Sequence, residues 1–272
     1  MENKPSISIF EHKPTLLFII LGGFFIANTI FAEFLGVKIF SVERTFGLNP
    51  IDITLFGKQH ISLNMTAGVL NWPIVFIMTD IINEYYGKKG VQFLSVLTAG
   101  LIAYGFLMFG AGIALPPADF WPTSHLSGLT AEQTEVMKTE VGNFNSAFGL
   151  VFGQSMWIIV GSLTAFLLSQ LVDVATFHQI KKVTGENRLW LRSTGSTLIS
   201  QFVDSFVVLF VAFYIPGKMD FMMIIALGLV AYTYKLVVAI LMTPVIYLVH
   251  NGIEKSLGIE TATALKHNAA NK

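Results

Sequence analysis

Six long runs of apolar residues constrain the fold of this chain more than any other feature of its sequence. Each run can cross about 30 Å of hydrocarbon as a helix, which takes about 20 residues at a rise of about 1.5 Å per residue. The runs cover residues 14–36, 66–86, 91–115, 146–176, 194–215 and 220–250. We therefore predict an all-α integral membrane protein, a bundle of six transmembrane helices.

The composition agrees with a chain embedded in lipid. Hydrophobic residues make up 53% of the 272 residues and charged residues only 12%, against about 25% charged residues in an ordinary soluble domain. The 17 basic and 17 acidic residues cancel, so the chain has no basic field of the kind that holds nucleic acid. The lipid bilayer is the predicted partner, and no nucleic-acid partner is expected.

Basic residues are distributed unequally between the two sides of the predicted bundle. Eleven lysines and arginines fall in the N-terminus, the second and fourth loops and the C-terminus, including Lys4 and Lys272, whereas five fall on the other side. Basic residues next to a span resist translocation, so both termini are predicted to be cytoplasmic in a multi-pass protein of the cell (inner) membrane. This gives a cytoplasmic tail at 1–13, a membrane domain at 14–250 and a second cytoplasmic tail at 251–272.

Two connections between the predicted spans have sequence patterns that predict local structure. Alternating apolar and polar residues at 51–55 predict a short surface hairpin. The connection between the third and fourth runs contains Glu132, Glu135 and Glu140, and it is predicted to be a loop with one surface helix.

Acidic residues occur inside the second run, where a charge at the helix centre costs about 2.5–3.5 kcal/mol on insertion scales. Asp80, Asn83 and Glu84 are spaced i, i+3 and i+4 and share one helix face. Asp80 is expected to lie about 10 Å inside the membrane. For Glu84 two interpretations stay open: part of this polar face, or an interfacial residue paired with Lys88.

The pattern Ser-Gln-x-Val-Asp occurs in both the fourth and the fifth run. It places Gln170 with Asp173, and Gln201 with Asp204, on one face of each helix. An amide and a carboxylate together can grip a hydrogen-bonding ligand edge, and the two faces could meet across one cavity. The alternative is that they only join two helices, at about 0.6 kcal/mol for each hydrogen bond.

Lys235 lies halfway along the last run, where an ion pair with Asp204, Asp173 or Asp80 would neutralise it. A structural pair and a substrate contact both stay open for this lysine. Glu33 is expected at the membrane interface. The full set of candidate binding residues is Asn28, Trp72, Asp80, Asn83, Glu84, Gln170, Asp173, Gln201, Asp204 and Lys235.

Several kinds of chemistry have no support in the sequence. The chain has no cysteine, and it lacks a phosphate-binding loop, a zinc-protease motif and a hydrolase nucleophile elbow. We therefore predict no enzyme activity, no cofactor and no metal, with an intramembrane aspartate enzyme as the minority hypothesis. Gly149 and Gly153 form a GxxxG motif that favours close helix packing within the bundle or across a homodimer.

These motifs in combination resemble the queuosine precursor transporter family, also described as vitamin uptake transporters. The resemblance rests on Thr-Asp-x-x-Asn-Glu-x-Tyr-Gly at Thr79–Gly87, the two Gln-x-x-Asp faces, Tyr234-Lys235, and Thr-Pro-x-x-Tyr at Thr243–Tyr247. It implies six transmembrane helices. It also implies import of 7-cyano-7-deazaguanine and 7-aminomethyl-7-deazaguanine for salvage of the tRNA base queuosine.

The candidate residues are chemically suited to such a ligand. A carboxylate can accept the N1–H and exocyclic amine of a guanine-like edge, while an amide reads the carbonyl. The aminomethyl group is cationic, so Asp80 or Glu84 would favour it, and Phe76, Trp72, Phe202 or Tyr234 could contact the ring. Proton coupling stays open. The alternative function is a substrate-binding membrane subunit of an ATP-driven vitamin-type uptake system.

Overall fold

The computed structural model describes residues 12–185 and 188–270; Lys4 and Lys272, used above for orientation, lie outside the described residues. Helices make up most of the described chain. They are α1 (Lys13–Leu35), α2 (Val42–Thr45), α3 (Trp72–Ala114), α4 (Ala131–Glu140), α5 (Phe144–Phe152), α6 (Met156–Thr184), α7 (Leu189–Leu209), α8 (Phe221–Leu257) and α9 (Ile259–Ala270). Four short strands are β1 (Ile39–Ser41), β2 (Ile53–Leu55), β3 (Lys58–Ile61) and β4 (Asn64–Thr66).

Five helical segments of the described chain are long and apolar enough to cross a membrane, which confirms the predicted all-α membrane protein. They are Lys13–Leu35, Trp72–Ala114, Ala131–Thr184, Leu189–Tyr214 and Phe221–Leu257. The last turn of the fourth of these segments is a π-helical turn. The second and third predicted spans correspond to the two parts of α3, a 43-residue element that begins at Trp72, six residues after the predicted start at 66.

The first half of α3 runs antiparallel to α1. At its start, the Asn71 amide donates to Asn28 Oδ1 at 3.1 Å. At its end, the Tyr86 hydroxyl donates to the Pro14 carbonyl at 2.6 Å. Asn28 and Pro14 lie near opposite ends of α1, so residues 72–86 travel back along that helix.

The second half of α3 runs in the other direction, because the chain turns at Gly87. Gly87 has φ +72° and ψ −174°, a conformation that only glycine adopts without strain. Beyond it, Leu94 packs on Gly22, and the rings of Phe106 and Phe34 lie 5.7 Å apart. The two halves of α3 are therefore antiparallel to each other.

The predicted single helix over 146–176 is wrong, because the chain breaks between α5 and α6. Gly153 ends α5 with φ −86° and ψ 58°, and a Cβ there would collide with the Gly149 carbonyl oxygen. The GxxxG pair thus forms a helix end, and it also contacts Ile113 on α3. An average of hydropathy cannot detect this break, since the flanking residues stay apolar.

The outer connections confirm both loop predictions. Strands β2 and β3 pair antiparallel as a hairpin, with a turn at Phe56 and Gly57 that has positive φ at both residues, as two-residue hairpin turns require. Helix α4 is the expected surface helix, and a capping box between Thr130 and Gln133 begins it.

Glu43 organises the loop that follows β1. Its carboxylate accepts hydrogen bonds from the backbone N–H groups of Leu63 and Ile51 at 2.8 and 3.3 Å and from the Ser41 hydroxyl at 2.7 Å. These bonds favour the ionised form, led by the one from Leu63, and lower the pKa of Glu43 to about 2. The Glu43 carboxylate is therefore ionised at neutral pH, and its hydrogen bonds stabilise the loop.

The C-terminal region is folded against the bundle. Helix α8 continues past the predicted end at residue 250 to Leu257, and α9 then packs on α3, with Ala269 beside Gly87. Lys266 of α9 binds Glu254 of α8 at 2.6 Å. The segment that was expected to be a tail thus covers the turn in α3.

Candidate functional site

Two carboxylates meet in the middle of the bundle, where the first half of α3, α6 and α7 pack together. Asp80 and Asp173 are 3% and 5% exposed, and they lie close enough to interact electrostatically. The Ser193 hydroxyl donates to Asp80 Oδ2, and the Ser200 hydroxyl donates to Asp173 Oδ1 at 3.1 Å. The prediction that acidic side chains lie buried inside the bundle is confirmed.

A row of serines on α7 holds these carboxylates, and sequence reasoning missed it. Ser193, Ser196 and Ser200 are buried, and their spacing of i, i+3 and i+7 puts them on one helix face. Ser196 also faces the Asp173 carboxylate. Hydroxyls recurring at helical spacing within an apolar run are the signal that could have identified them.

Each carboxylate keeps one oxygen without a hydrogen-bond partner in the described part of the chain, Oδ1 of Asp80 and Oδ2 of Asp173. The side-chain oxygens of Asn83, Gln170 and Gln201 are likewise buried and unpaired there. Leaving a buried polar group unpaired costs about 1–3 kcal/mol. A cluster of five such groups is typical of a site that a polar ligand completes.

A narrow cavity opens beside Asp80, between α3, α7 and α8. It is small, about 10 Å³, which is room for about one water molecule, and Phe76, Thr197 and Met242 line it together with Asp80. Trp72 supports the aromatic wall, because its ring stacks on Phe76 with centroids 5.9 Å apart and planes 17° apart. Of the aromatic candidates, Phe76 therefore lies nearest the polar cluster.

Glu84 is buried within the protein, and the expected pair with Lys88 is wrong. Its carboxylate is 1% exposed and binds Arg192 at 2.7 Å and Lys181 at 3.2 Å, whereas Lys88 is exposed. Arg192 and Lys181 were expected in a cytoplasmic loop. They turn inward instead, because α6 and α7 extend past the predicted spans and bring both cations to Glu84.

Lys235 pairs with Asp204, which decides between its three possible partners. The Nζ–Oδ2 distance is 2.5 Å, and the pair joins α8 to α7. Glu33, expected at the interface, is half-buried; it accepts a hydrogen bond from Ser162 of α6 and interacts electrostatically with Asp204. Asp204 thus has a cation as its direct partner, whereas the direct partner of Asp173 is the Ser200 hydroxyl.

Asn28 and the Thr-Pro-x-x-Tyr motif fix helices around the site. Asn28 joins α1 to the start of α3 through Asn71. Thr243 bonds Thr194 at 2.9 Å, and the Tyr247 hydroxyl accepts a hydrogen bond from the Trp190 backbone N–H at 3.2 Å. The motif holds α8 against α7 and satisfies a donor at the start of α7 that has no partner within the helix.

The histidine, aspartate and glutamate side chains of the described residues form no group of three that could hold a metal ion. The polar cluster offers carboxylate and amide oxygens beside an aromatic wall.

Comparison with known proteins identifies a family and two relatives. The family model described as "Putative vitamin uptake transporter" matches residues 66–249. The chain is 32% identical to a "Probable queuosine precursor transporter" of Bacillus subtilis (strain 168), over 59% of each chain. It is 24% identical to a protein of the same description from Haemophilus influenzae, over 78% of this chain and 82% of that relative. No solved structure matches significantly.

The aligned part thus spans about three-fifths of the Bacillus relative's length. The segment that matches the family model contains Asp80, Asp173 and the serine row between them in space. The chain is a multi-pass membrane protein and belongs to the family described as "Putative vitamin uptake transporter".

Proposed function

We propose that this protein imports queuosine precursors, 7-cyano-7-deazaguanine and 7-aminomethyl-7-deazaguanine, across the cell membrane for tRNA queuosine salvage. The names of both relatives support the substrate class. The observation that carries the proposal is the cluster of unpaired buried oxygens around Asp80 and Asp173, next to a cavity walled by Phe76. A flat, polar heterocycle matches the chemistry of these groups, and the helices have to separate to admit it, because the cavity holds only about 10 Å³.

In the proposed complex, Asp173 accepts the N1–H and the exocyclic amine of the deazaguanine as a fork. Gln170 lies one turn away on α6 and donates its amide N–H to the ring carbonyl. Phe76 covers the ring face. Asp80 and Asn83 contact the substituent at the 7-position.

We propose six membrane crossings with both termini in the cytoplasm. The turn at Gly87 supports two crossings by α3, because its halves run antiparallel. The excess of lysine and arginine on one side supports the orientation. In this arrangement the Glu84 cluster and α9 lie on the cytoplasmic side, and the Asp204–Lys235 pair lies on the outer side of the site.

The two buried ion-pair clusters flank the proposed site and are suited to act as its gates. Arg192 and Asp204 are 12 residues apart on α7, which is about 18 Å along a helix, with the serine row between them. We propose that one cluster separates while the other stays closed, so that access alternates around the bound substrate. No nucleotide hydrolysis by this chain is required.

The test is uptake in cells that can neither make deazaguanine precursors nor import them. Producing this protein in such cells, with either precursor in the medium, should restore queuosine in tRNA. Asp173→Asn should abolish the restoration while the protein still reaches the membrane. Asp119→Asn, the same change at an exposed loop carboxylate, serves as the matched control and should have no effect. Normal queuosine levels with Asp173→Asn would refute the proposed binding face.

A further inference from the structure

The buried acidic side chains around the site fall into two classes. Glu84 is bound by Arg192, and Asp204 is bound by Lys235. Asp80 and Asp173 form no ion pair with any described residue, and their hydrogen bonds come from serine hydroxyls. Within the described chain, no cation therefore makes direct contact with Asp80 or Asp173.

The remaining charges near Asp80 do not compensate for this. Arg192 acts on Asp80 electrostatically with an attractive sign, but Glu84 and Asp173 both act on it with the opposite sign. The Arg192 guanidinium also makes its short contacts with Glu84. A positive charge added between α3, α6 and α7 would therefore favour the ionised forms of Asp80 and Asp173.

The unpaired atoms in the cluster are mainly acceptors. Five buried oxygens lack a partner in the described chain, on Asp80, Asn83, Gln170, Asp173 and Gln201, whereas one amide nitrogen does, on Asn83. An amide can exchange its donor and acceptor by turning, but an ionised carboxylate accepts in every orientation. The two aspartates therefore require a ligand that brings N–H donors.

Resting on the proposed function, we propose that the site selects the cationic precursor: Asp80 binds the ammonium of the 7-aminomethyl group, while Asp173 binds the guanine-like edge. This goes beyond import of queuosine precursors as a class, because it ranks the two precursors and assigns one carboxylate to the ranking.

The chemistry of the two substituents supports the ranking. An aminomethyl group brings a positive charge and three N–H donors, which match the unpaired Asp80 oxygen and the Asn83 carbonyl oxygen. A cyano group is uncharged and ends in an acceptor nitrogen, so beside Asp80 it would place one acceptor against another. The buried carboxylate would then lose water without gaining a hydrogen bond.

The position of Asp80 explains why this residue and not Asp173 binds the substituent. Asp80 lines the cavity, and Phe76, one turn away on α3, forms the wall beside it. Asp173 lies on α6 next to Gln170, which supplies the amide needed for the ring carbonyl. Because Asp80 and Asp173 lie close enough to interact electrostatically, one ligand held against both can present its guanine-like edge to α6 and its 7-substituent to Asp80.

The test uses purified protein in liposomes with three ligands of similar size, carrying a 7-aminomethyl, a 7-cyano or a 7-hydroxymethyl group. The ratio of half-saturation concentrations for two ligands does not depend on how much protein is inserted. We expect the aminomethyl compound to saturate at a concentration at least about tenfold lower than either neutral compound, which corresponds to about 1.4 kcal/mol. In Asp80→Asn the ratio should fall to within about twofold. Asp80→Glu, which keeps the carboxylate, should retain most of the preference for the aminomethyl compound. Asp119→Asn should show the same ratio as the wild type.

The possible failures are distinguishable. Uptake of both precursors with equal half-saturation, or a preference for the cyano compound, would overturn the ranking and leave the proposed function standing. A preference that survives Asp80→Asn would overturn the role of Asp80. Uptake of none of the three compounds would refute the proposed function, and this inference with it.

Discussion

Replacing Lys235 with methionine tests the buried ion pair directly. Methionine keeps most of the length and apolar volume of the lysine stem but removes the ammonium that binds Asp204 at 2.5 Å. The variant leaves Asp204 with Glu33 as an acidic neighbour and without its cation. We expect a clear loss of stability rather than a loss limited to transport.

The size of the loss follows from burial. Removing one partner of a buried ion pair costs about 3–5 kcal/mol, and the two side chains are each 13% exposed, so the lower end applies. For a protein of this size a loss of about 3 kcal/mol lowers the melting temperature by roughly 6–12 °C. The double variant Asp204→Asn/Lys235→Met removes both charges and should melt within a few degrees of the wild type.

The assay is thermal unfolding of the purified protein in one detergent at a fixed heating rate. Lys58→Met is the matched control, because Lys58 pairs with Asp220 at 2.7 Å with side chains that are 31% and 55% exposed, and exposed pairs contribute about 0–1 kcal/mol. The assignment of a buried pair is wrong if Lys235→Met melts no lower than Lys58→Met. It is also wrong if the double variant melts lower than both Lys235→Met and Asp204→Asn.

Three further predictions concern the fold around the site. Gly87→Ala should lower the melting temperature, since a side chain at its φ of +72° costs about 1–2 kcal/mol. The added Cβ would also lie 2.8 Å from the Ala269 carbonyl oxygen. Gly100→Ala is the control and should not lower the melting temperature, because the space around Gly100 is open. Tyr247→Phe should cost about 1 kcal/mol of thermal stability by removing the acceptor for the Trp190 N–H at the start of α7. Glu43→Gln should make the loop around Glu43 more sensitive to protease at pH 7. The pKa of Glu43 is lowered from 4.5 to about 2. The difference in stability between variant and wild type should therefore be constant above about pH 4.5 and shrink as the pH falls towards 2.

Hydropathy predicted the class of fold and most helix positions, because each long apolar run has one stable arrangement in lipid. The predicted span 14–36 corresponds to α1 at Lys13–Leu35, and the surface hairpin and surface helix are present. The break at Gly153 could not be predicted this way. It depends on a close approach between Gly153 and the Gly149 carbonyl that only a residue without a Cβ permits, and not on polarity.

The sequence identified the polar residues that are costly to bury in a membrane, but it did not show which of them pair with each other. Sequence spacing puts residues on one face of a helix, but it does not say which helices meet. The interpretation that paired Glu84 with Lys88 therefore named the wrong partner, and the partner of Lys235 stayed open between three aspartates. Arg192 was missed because a basic residue near a span end looks like a loop residue until its carboxylate partner is known.

The most direct measurement of the central claim is uptake of labelled 7-aminomethyl-7-deazaguanine into liposomes that contain this protein alone, without ATP or any second protein. We predict saturable uptake that unlabelled precursor competes away, that Asp173→Asn eliminates and that Asp119→Asn leaves intact. An absence of uptake that is reversed only by an ATP-hydrolysing partner would contradict the account and identify the chain as a binding subunit. Equal uptake by Asp173→Asn and the wild type would show that the buried carboxylates are structural.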